Sequence, residues 1–338
     1  MKKKSILLQI IWFINYIIAI LLLFGYLLPY FSPKFLSKLN VLSLAVPPLI
    51  FINFLFVLFW LIKLKRQFLL SALVLILGYF ISTPLYIISS KNTKSNDQIR
   101  IMSYNVRLFN EYNWINDNLI SKKIAKLIQE ENPDILCMQE FHPNGDALFH
   151  YPFKYIKTSD AKKKFGQAIY SKYKIINQGS LNFEHTQNNA IYVDILKGRD
   201  TLRIYNLHIE SLGLNPNKEN FGQQNKEKIL NRISQEFKKQ QVQVEKIIAH
   251  QKKCNYPILV AGDFNNTAYS WTYRTLKSDF KDSFLEAGKG FGKTFSLKGL
   301  PLRIDFIFAD KILKINQHKN YSKKYSDHYP IMATIGLD

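Results

Sequence analysis

The chain has 338 residues and a formal net charge of +21, and its charged residues are distributed unevenly. Residues 1–90 contain eight Lys or Arg and no Asp or Glu, so all 25 acidic residues lie in 91–338. That second part has 38 basic residues, a net charge of +13, and enough length for one globular domain with a large core. The two cysteines show no spacing pattern, which argues against a disulfide framework.

Three apolar runs without a charged side chain occupy most of residues 1–90, at 6–28, 41–62 and 68–88. At about 1.5 Å per residue, each helix would be long enough to cross a hydrocarbon core of roughly 30 Å. A cleavable signal peptide explains the first run but not the other two. The sequence therefore predicts an anchor of three transmembrane helices. The lack of charged residues argues against a channel or transporter.

Basic residues near the apolar runs predict the orientation. Lys2–Lys4 and the turn at 63–67 supply six, whereas the loop at 29–40 supplies two. Because basic residues favour the cytoplasmic side, we expect the N-terminus inside. Three spans then place 91–338 outside the cytoplasmic (inner) membrane, in the periplasm or at the cell surface, whereas two spans reverse this.

The polar segment 91–98 is the predicted linker, and 99–338 the predicted globular domain. Helical spacing predicts helices at Ile120–Glu131 and Gln223–Lys253. Apolar runs predict strands at Ile99–Tyr104, Ile135–Gln139, Gly166–Ser171, Ala190–Leu196, Leu202–His208, Ile258–Asp263, Asp305–Phe308 and Ile331–Ile335. This alternation favours an α/β sandwich with a mixed-sheet core and outer helices.

Polar residues recur where these strands begin or end, as is usual for a catalytic site built on a rigid scaffold. The candidates are Asn105, Glu140, His208, Asp263, Asn265, Asp305, Asp327 and His328. Glu140 offers the hard oxygen that Mg²⁺ prefers. Asp263 and Asn265 alternate, so we expect both side chains on one side of the strand end, unless they form a turn. There the carboxylate would activate water and the amide would donate to a phosphate oxygen.

Six short strings occur in an order that resembles the endonuclease/exonuclease/phosphatase superfamily, which includes pancreatic deoxyribonuclease, neutral sphingomyelinases and inositol polyphosphate phosphatases. The strings are Ser103-Tyr104-Asn105-Val106, Met138-Gln139-Glu140, Asn206-Leu207-His208, Gly262-Asp263-Phe264-Asn265, Arg303-Ile304-Asp305-Phe306 and Ser326-Asp327-His328. They span nearly all of 99–335. The resemblance implies a four-layered sandwich with two mixed β-sheets and outer helices.

The resemblance also implies roles for the candidate residues. It places Mg²⁺, with Mn²⁺ as an alternative, on Glu140, and has Asp327 face the metal or its waters. Asp305 would orient His328, whose imidazolium can stabilise charge on the phosphoryl group.

Two further roles follow from the same resemblance. Asn105 would hydrogen-bond the catalytic aspartate or the phosphate. His208 would either protonate the leaving oxygen or bind phosphate. In the deoxyribonuclease- and sphingomyelinase-like members a glutamate pairs with this histidine, and Glu184 is the candidate here.

These features together predict a membrane-anchored, Mg²⁺-dependent phosphoesterase. The basic domain favours nuclease-like phosphodiester hydrolysis. Alternatives are a phospholipid (sphingomyelinase-like) phosphodiesterase, a phosphatase, or a non-catalytic phosphate-binding module. The presence of Glu140, Asp263, Asp327 and His328 argues against the last. The expected partners are a nucleic acid or phospholipid-headgroup substrate and the lipid bilayer, with no protein partner evident.

Overall fold

The computed structural model describes residues 6–93, 95–158, 165–213, 226–297 and 299–337. Lys2–Lys4, used to predict the orientation, lie outside the described residues. The first of two compact units comprises the described residues of Met1–Leu85, Phe221–Gln241 and Thr267–Arg274. The second comprises those of Tyr86–Asn220, Val242–Asn266 and Thr275–Asp338. The bounds 1–90, 91–98 and 99–338 stay a prediction.

The helices and strands are numbered in chain order. The helices are α1 (Ile6–Leu27), α2 (Pro33–Asn40), α3 (Val46–Ile62), α4 (Phe68–Ile81), α5 (Ile120–Glu131), α6 (Lys226–Gln251), α7 (Trp271–Lys277) and α8 (Ser283–Ala287). The strands are β1 (Gln98–Asn105), β2 (Ile135–Phe141), β3 (Phe153–Thr158), β4 (Gly166–Ser171), β5 (Lys174–Ser180), β6 (Asn189–Lys197), β7 (Asp200–His208), β8 (Ile258–Asp263), β9 (Phe280–Asp282), β10 (Phe295–Leu297), β11 (Leu300–Leu302), β12 (Asp305–Asp310), β13 (Lys314–Asn320) and β14 (Ile331–Gly336).

The prediction of three membrane-crossing helices was wrong. Among the described residues, two apolar helical stretches are long enough to cross a membrane, Ile6–Tyr30 and Pro33–Ile62. Helix α4 has 14 residues, or about 21 Å. It ends at Ile81 because Thr83 precedes Pro84, and the residue before proline disfavours helical backbone. Core helices and signal sequences share the length and composition of the two long stretches.

A buried hydrogen-bond network joins α1, α3 and α4 in the first unit. The Asn15 Nδ2 donates to Ser71 Oγ at 2.6 Å, and Ser71 Oγ donates to Asn53 Oδ1 at 2.9 Å. The Trp60 Nε1 donates to Asn15 Oδ1 at 2.9 Å. All four residues are buried, so each helix satisfies polar groups of another.

Two six-stranded sheets form the centre of the second unit. Their strand orders are β13-β14-β1-β2-β4-β3 and β5-β6-β7-β8-β12-β9. Each sheet is mixed, because β1–β2 and β7–β8 are parallel whereas the remaining neighbours are antiparallel. Apolar side chains from both sheets, such as Ile101 and Ile204, share one buried core.

Helices cover the outer faces of both sheets and complete the predicted four-layered sandwich. Ile124 and Ile128 of α5 pack in a core cluster with residues of the first sheet. On the second sheet, the ring of Tyr192 lies 4.7 Å from that of His250 in α6. The hydroxyl of Tyr205 lies 2.7 Å from His250 Nδ1.

The parallel strand pairs bring the candidate residues to one end of the sandwich. In the second sheet, His208 pairs in register with Asp263, and Asp263 pairs with Asp305 across β8 and β12. In the first sheet, Asn105 pairs with Gln139, directly before Glu140. Residues far apart in sequence therefore meet at the ends of central strands.

Gly262 permits the close approach of β7 and β8 just before Asp263. A Cβ at Gly262 would lie 2.0 Å from the backbone oxygen of Leu207, whereas one at Gly198 would have no heavy atom within 4 Å. Both glycines have positive φ, 148° at Gly262 and 63° at Gly198, so Gly198→Ala is a control that strains the backbone without a close contact.

We expect Gly262→Ala to destabilise the protein by about 1–3 kcal/mol more than Gly198→Ala, because the two strands must separate. Thermal unfolding of the full chain in detergent measures this difference, at roughly 2–4 °C per kcal/mol. Equal melting temperatures for the two variants would contradict the close packing.

Candidate active site

The side-chain amide of Asn105 connects the two sheets. Its Nδ2 donates to Glu140 Oε1 at 3.1 Å and to Asp263 Oδ2 at 3.0 Å. Its Oδ1 accepts a hydrogen bond from the backbone N–H of Arg107 at 3.1 Å, which fixes the orientation of the amide. Asn105 is fully buried. Of the two partners expected for Asn105, the aspartate or the phosphate, the structure places the aspartate within hydrogen-bonding distance.

Glu140 lies at an irregularity of β2. The β2–β4 register shifts between Met138 and Phe141, and Glu140 has a φ of 46°. Such bulges re-aim a side chain, and a non-glycine residue with positive φ is often found at a functional site. Burial raises the pKa of the Glu140 carboxyl, and the negative charge of Asp327 raises it further. A positive charge placed near both carboxylates would relieve this repulsion.

Asp263 ends β8 with its carboxylate fully buried. Burial and the negative charge of Asp305 raise its pKa to about 6, while His328, His208 and the hydrogen bond from Asn105 act in the opposite direction. A carboxylate with such a pKa is a better proton acceptor near neutral pH than an exposed one.

Asn265 does not extend the strand, so the expectation that it alternates with Asp263 on one strand face was wrong. Its φ is 50°, and its backbone N–H donates to Asp263 Oδ1 at 2.8 Å, which forms a turn. Its Nδ2 donates to the backbone oxygen of Ile209 at 2.9 Å. The Asn265 amide therefore binds the backbone directly after the end of β7.

His328 lies between two aspartates. Its Nδ1 is 3.0 Å from Asp305 Oδ2, and its Nε2 is 3.6 Å from Asp263 Oδ2. Burial disfavours the imidazolium, but the charges of Asp305 and Asp263 outweigh it and raise the pKa of His328 well above its usual value. His328 is therefore a cation at neutral pH.

The pKa of His208 is shifted in the opposite direction from that of His328. Burial and the nearby cation of His328 lower its pKa, against the charges of Asp263 and Glu210. Its Nε2 lies 4.0 Å from Asp263 Oδ2. Glu184, the candidate partner from sequence, is exposed. The buried Glu210, which accepts a hydrogen bond from Gln243 Nε2 at 2.8 Å, is the glutamate that acts electrostatically on His208.

Among the residues that the structure describes, two groups of side chains could hold a divalent cation. Asp263, Asp305 and His328 offer ligand atoms within 4.8 Å of one another. An imidazolium has no lone pair for a metal, however, and Asp305 already contacts Nδ1 of His328. Glu140 and Asp327 supply oxygen ligands whose mutual repulsion a cation would relieve. These two residues fit Mg²⁺ better.

Besides Glu210, sequence reasoning missed two residues that shape the site. Arg107 Nε lies 3.3 Å from Asp327 Oδ2. Ser326 Oγ donates to the backbone oxygen of Asn105 at 2.9 Å, which ties the strings around Asn105 and His328 together. Their position directly beside candidate residues was the available signal.

Comparisons with known proteins identify the family of the second part of the chain. The model of the endonuclease/exonuclease/phosphatase family matches residues 102–328. The chain belongs to this family. Residues 8–85 match a domain of unknown function, DUF8431. No curated protein sequence matches the chain.

Solved structures of the same fold include proteins from animals and bacteria. A humanized D. rerio TDP2 is 19% identical with a TM-score of 0.56, covering 71% of this chain and 99% of that one. The endonuclease/exonuclease/phosphatase from Bacteroides vulgatus is 19% identical with a TM-score of 0.55, covering 72% and 100%. D. rerio TDP2 complexed with a single-strand DNA product is 16% identical with a TM-score of 0.53, covering 72% and 100%. At these identities the likeness shows the fold alone.

Asp305→Asn is expected to move the alkaline limb of the pH–activity profile to lower pH. The negative charge of Asp305 raises the pKa of His328, so its removal lets the imidazolium lose its proton earlier. The profile of kcat/KM on bis-p-nitrophenyl phosphate measures the shift, with wild type as reference. An alkaline limb that stays in place or moves upward would contradict the assigned charge of His328.

Proposed function

We propose that the protein is a membrane-anchored, Mg²⁺-dependent phosphodiesterase with nuclease-like activity. One observation carries this proposal: the Asp263 carboxylate is hydrogen-bonded by Asn105 and lies 3.6 Å from a histidine that Asp305 holds from its other side. This arrangement supplies a proton acceptor and a cation side by side in a buried site, as phosphoester hydrolysis requires.

Each residue of the chain has a defined task in the proposed reaction. Asp263 accepts a proton from the attacking water, for which a pKa of about 6 is well suited. His328, held by Asp305, donates a charge-assisted hydrogen bond to a phosphoryl oxygen. His208, neutral near pH 7, donates a hydrogen bond to the phosphate from the other side of Asp263. Asn105 keeps the Asp263 carboxylate oriented.

Glu140 and Asp327 would hold the metal ion. When bound, Mg²⁺ supplies Lewis-acid polarisation of the phosphoryl group and stabilises charge on the leaving oxygen.

The net charge favours a polyanionic substrate. Residues 91–338 carry a net charge of +13, which attracts a nucleic acid backbone and makes binding dependent on salt. Phospholipid headgroups are the second candidate, because the apolar helices α1 and α3 would keep the enzyme at a lipid surface.

Contacts within the first unit support an extracytoplasmic location of α6. Ser32 Oγ and the backbone N–H of Lys34 both donate to Gln241 Oε1 of α6 at 2.7 Å. Ser234 Oγ, also in α6, donates to Ser37 Oγ at 2.7 Å. Helix α6 therefore lies against residues 32–37, which follow α1 and include the start of α2, whereas the basic turn at 63–67 follows α3. Because basic turns favour the cytoplasm, this contact favours α6 outside, which requires the chain to cross back between the turn at 63–67 and α6, over the 14-residue α4 and its flanking residues.

Glu140→Gln, Asp263→Asn and His328→Ala are each expected to lower kcat/KM by about 100-fold or more, because each removes a metal ligand, proton acceptor or charge stabiliser. The full chain in detergent is assayed on single-stranded DNA, RNA, sphingomyelin vesicles and bis-p-nitrophenyl phosphate, with Mg²⁺, Mn²⁺ or EDTA. The control is Tyr256→Ala, since Tyr256 is an exposed aromatic residue that lies two positions before β8 begins. Activity that survives all three substitutions, or persists in EDTA, would overturn the proposal.

A single cysteine introduced at exposed Lys38 is expected to react with a membrane-impermeant maleimide in intact cells, whereas one at exposed Lys65 is not. Cys254 is changed to Ser in both, because it is only partly buried, while Cys137 is buried. Labelling of the Lys65 position alone would place α6 in the cytoplasm.

A further inference from the structure

A left-handed turn begins at Arg107, two residues after Asn105. The four residues Arg107, Leu108, Phe109 and Asn110 have φ values of 43°, 53°, 52° and 66°. Left-handed backbone is unfavourable for non-glycine residues, and it persists only where surrounding contacts fix it.

Phe109 and Asn110 supply these contacts. The Phe109 ring packs edge-on against Phe141 of β2 at a centroid distance of 5.6 Å. The side chain of Asn110 donates to the backbone oxygen of Ile115 at 2.8 Å and accepts from its N–H at 2.9 Å. The turn and the segment up to Ile115 are therefore fixed relative to the first sheet.

This fixed turn brings an aromatic surface next to the carboxylate proposed to face the metal. The guanidinium of Arg107 lies 3.3 Å from Asp327 Oδ2 on one side and 4.4 Å from the centre of the Trp114 ring on the other. The Trp114 ring packs at 5.2 Å, edge to face, with Tyr112. Both aromatic residues are nevertheless exposed, Trp114 by 44% and Tyr112 by 69%.

We propose that Arg107, Tyr112 and Trp114 form a subsite for the nucleotide next to the scissile phosphate, an inference that rests on the proposed phosphodiesterase activity. Arg107 binds a phosphate oxygen, and the exposed aromatic rings stack on the base. Stacking on an exposed ring requires a base that is free of its own neighbours. The subsite therefore selects single-stranded nucleic acid over duplex.

The position of Arg107 also distinguishes this ligand from a choline headgroup. Aromatic rings bind quaternary ammonium groups through their faces. Here the Trp114 ring already has a guanidinium over it, so a second cation would be repelled. A neutral base joined to an anionic phosphate complements both groups.

The test compares binding of two fluorescein-labelled strands to the full chain in detergent micelles, in EDTA so that binding is measured without turnover. One strand is pentathymidylate, and the other has the same length and backbone but carries abasic tetrahydrofuran nucleotides. Fluorescence anisotropy gives the ratio of the two dissociation constants for wild type, Trp114→Ala, Trp114→Phe and Tyr256→Ala.

Wild type is expected to bind the base-bearing strand about tenfold more tightly or better. Trp114→Ala should bring the ratio close to one, Trp114→Phe should retain part of it, and Tyr256→Ala should leave it unchanged. A wild-type ratio near one, or a preference that survives Trp114→Ala, would overturn the subsite. The subsite would also be overturned if Trp114→Ala lost binding to phosphatidylcholine vesicles but kept the wild-type ratio of the two dissociation constants.

The binding ratio is independent of turnover. Absence of hydrolysis on every substrate would therefore contradict the proposed function, whereas the ratio alone decides whether Trp114 recognises a base.

Discussion

The site depends on the hydrogen bonds of one buried amide. Asn105 donates to Glu140 in its own sheet and to Asp263 in the other, and its orientation is set by the backbone of Arg107. Desolvating two carboxylates in one place costs several kcal/mol per ion unless partners compensate. The amide compensates part of this cost, and the positive charge of His328 acts on both carboxyls.

Two histidines on either side of Asp263 differ in charge because their surroundings differ. Both are buried, but His328 has Asp305 against Nδ1 and Asp263 near Nε2. His208 instead has the cation of His328 as a neighbour and lies farther from Asp263. In the proposed reaction, His328 therefore serves as a fixed cation and His208 as a neutral hydrogen-bonding group. Environments that separate the pKa values of like residues are how a site assigns acid and base roles.

Most of the second unit follows from local sequence patterns. Apolar runs such as Ile258–Asp263 predicted the central strands, and the order of the motifs predicted the four layers. Strands such as β5 and β13 were not predicted because their residues are largely polar. The short length of α4 was missed because hydropathy continues past Ile81, whereas Pro84 limits the helix.

The sequence predicted which residues belong to the candidate site better than it predicted how they contact one another. The motif strings named Asn105 and Asp263, but their contact joins residues 158 positions apart and depends on how the sheets pack. The left-handed turn after Arg107 and the bulge at Glu140 carry no glycine that would have indicated them. Glu184 was chosen on sequence alone, whereas Glu210 lies near His208 because the chain continues past the end of β7.

In the proposed reaction, Glu140 and Asp327, not the Asp263–Asp305–His328 group, hold the metal ion. Electron paramagnetic resonance of Mn²⁺ with the full chain in detergent tests this claim without requiring turnover. Glu140→Gln should weaken Mn²⁺ binding by about tenfold or more, while Asp305→Asn should leave it close to wild type. Strong binding in Glu140→Gln together with its loss in Asp305→Asn would place the metal at the other group and contradict the account.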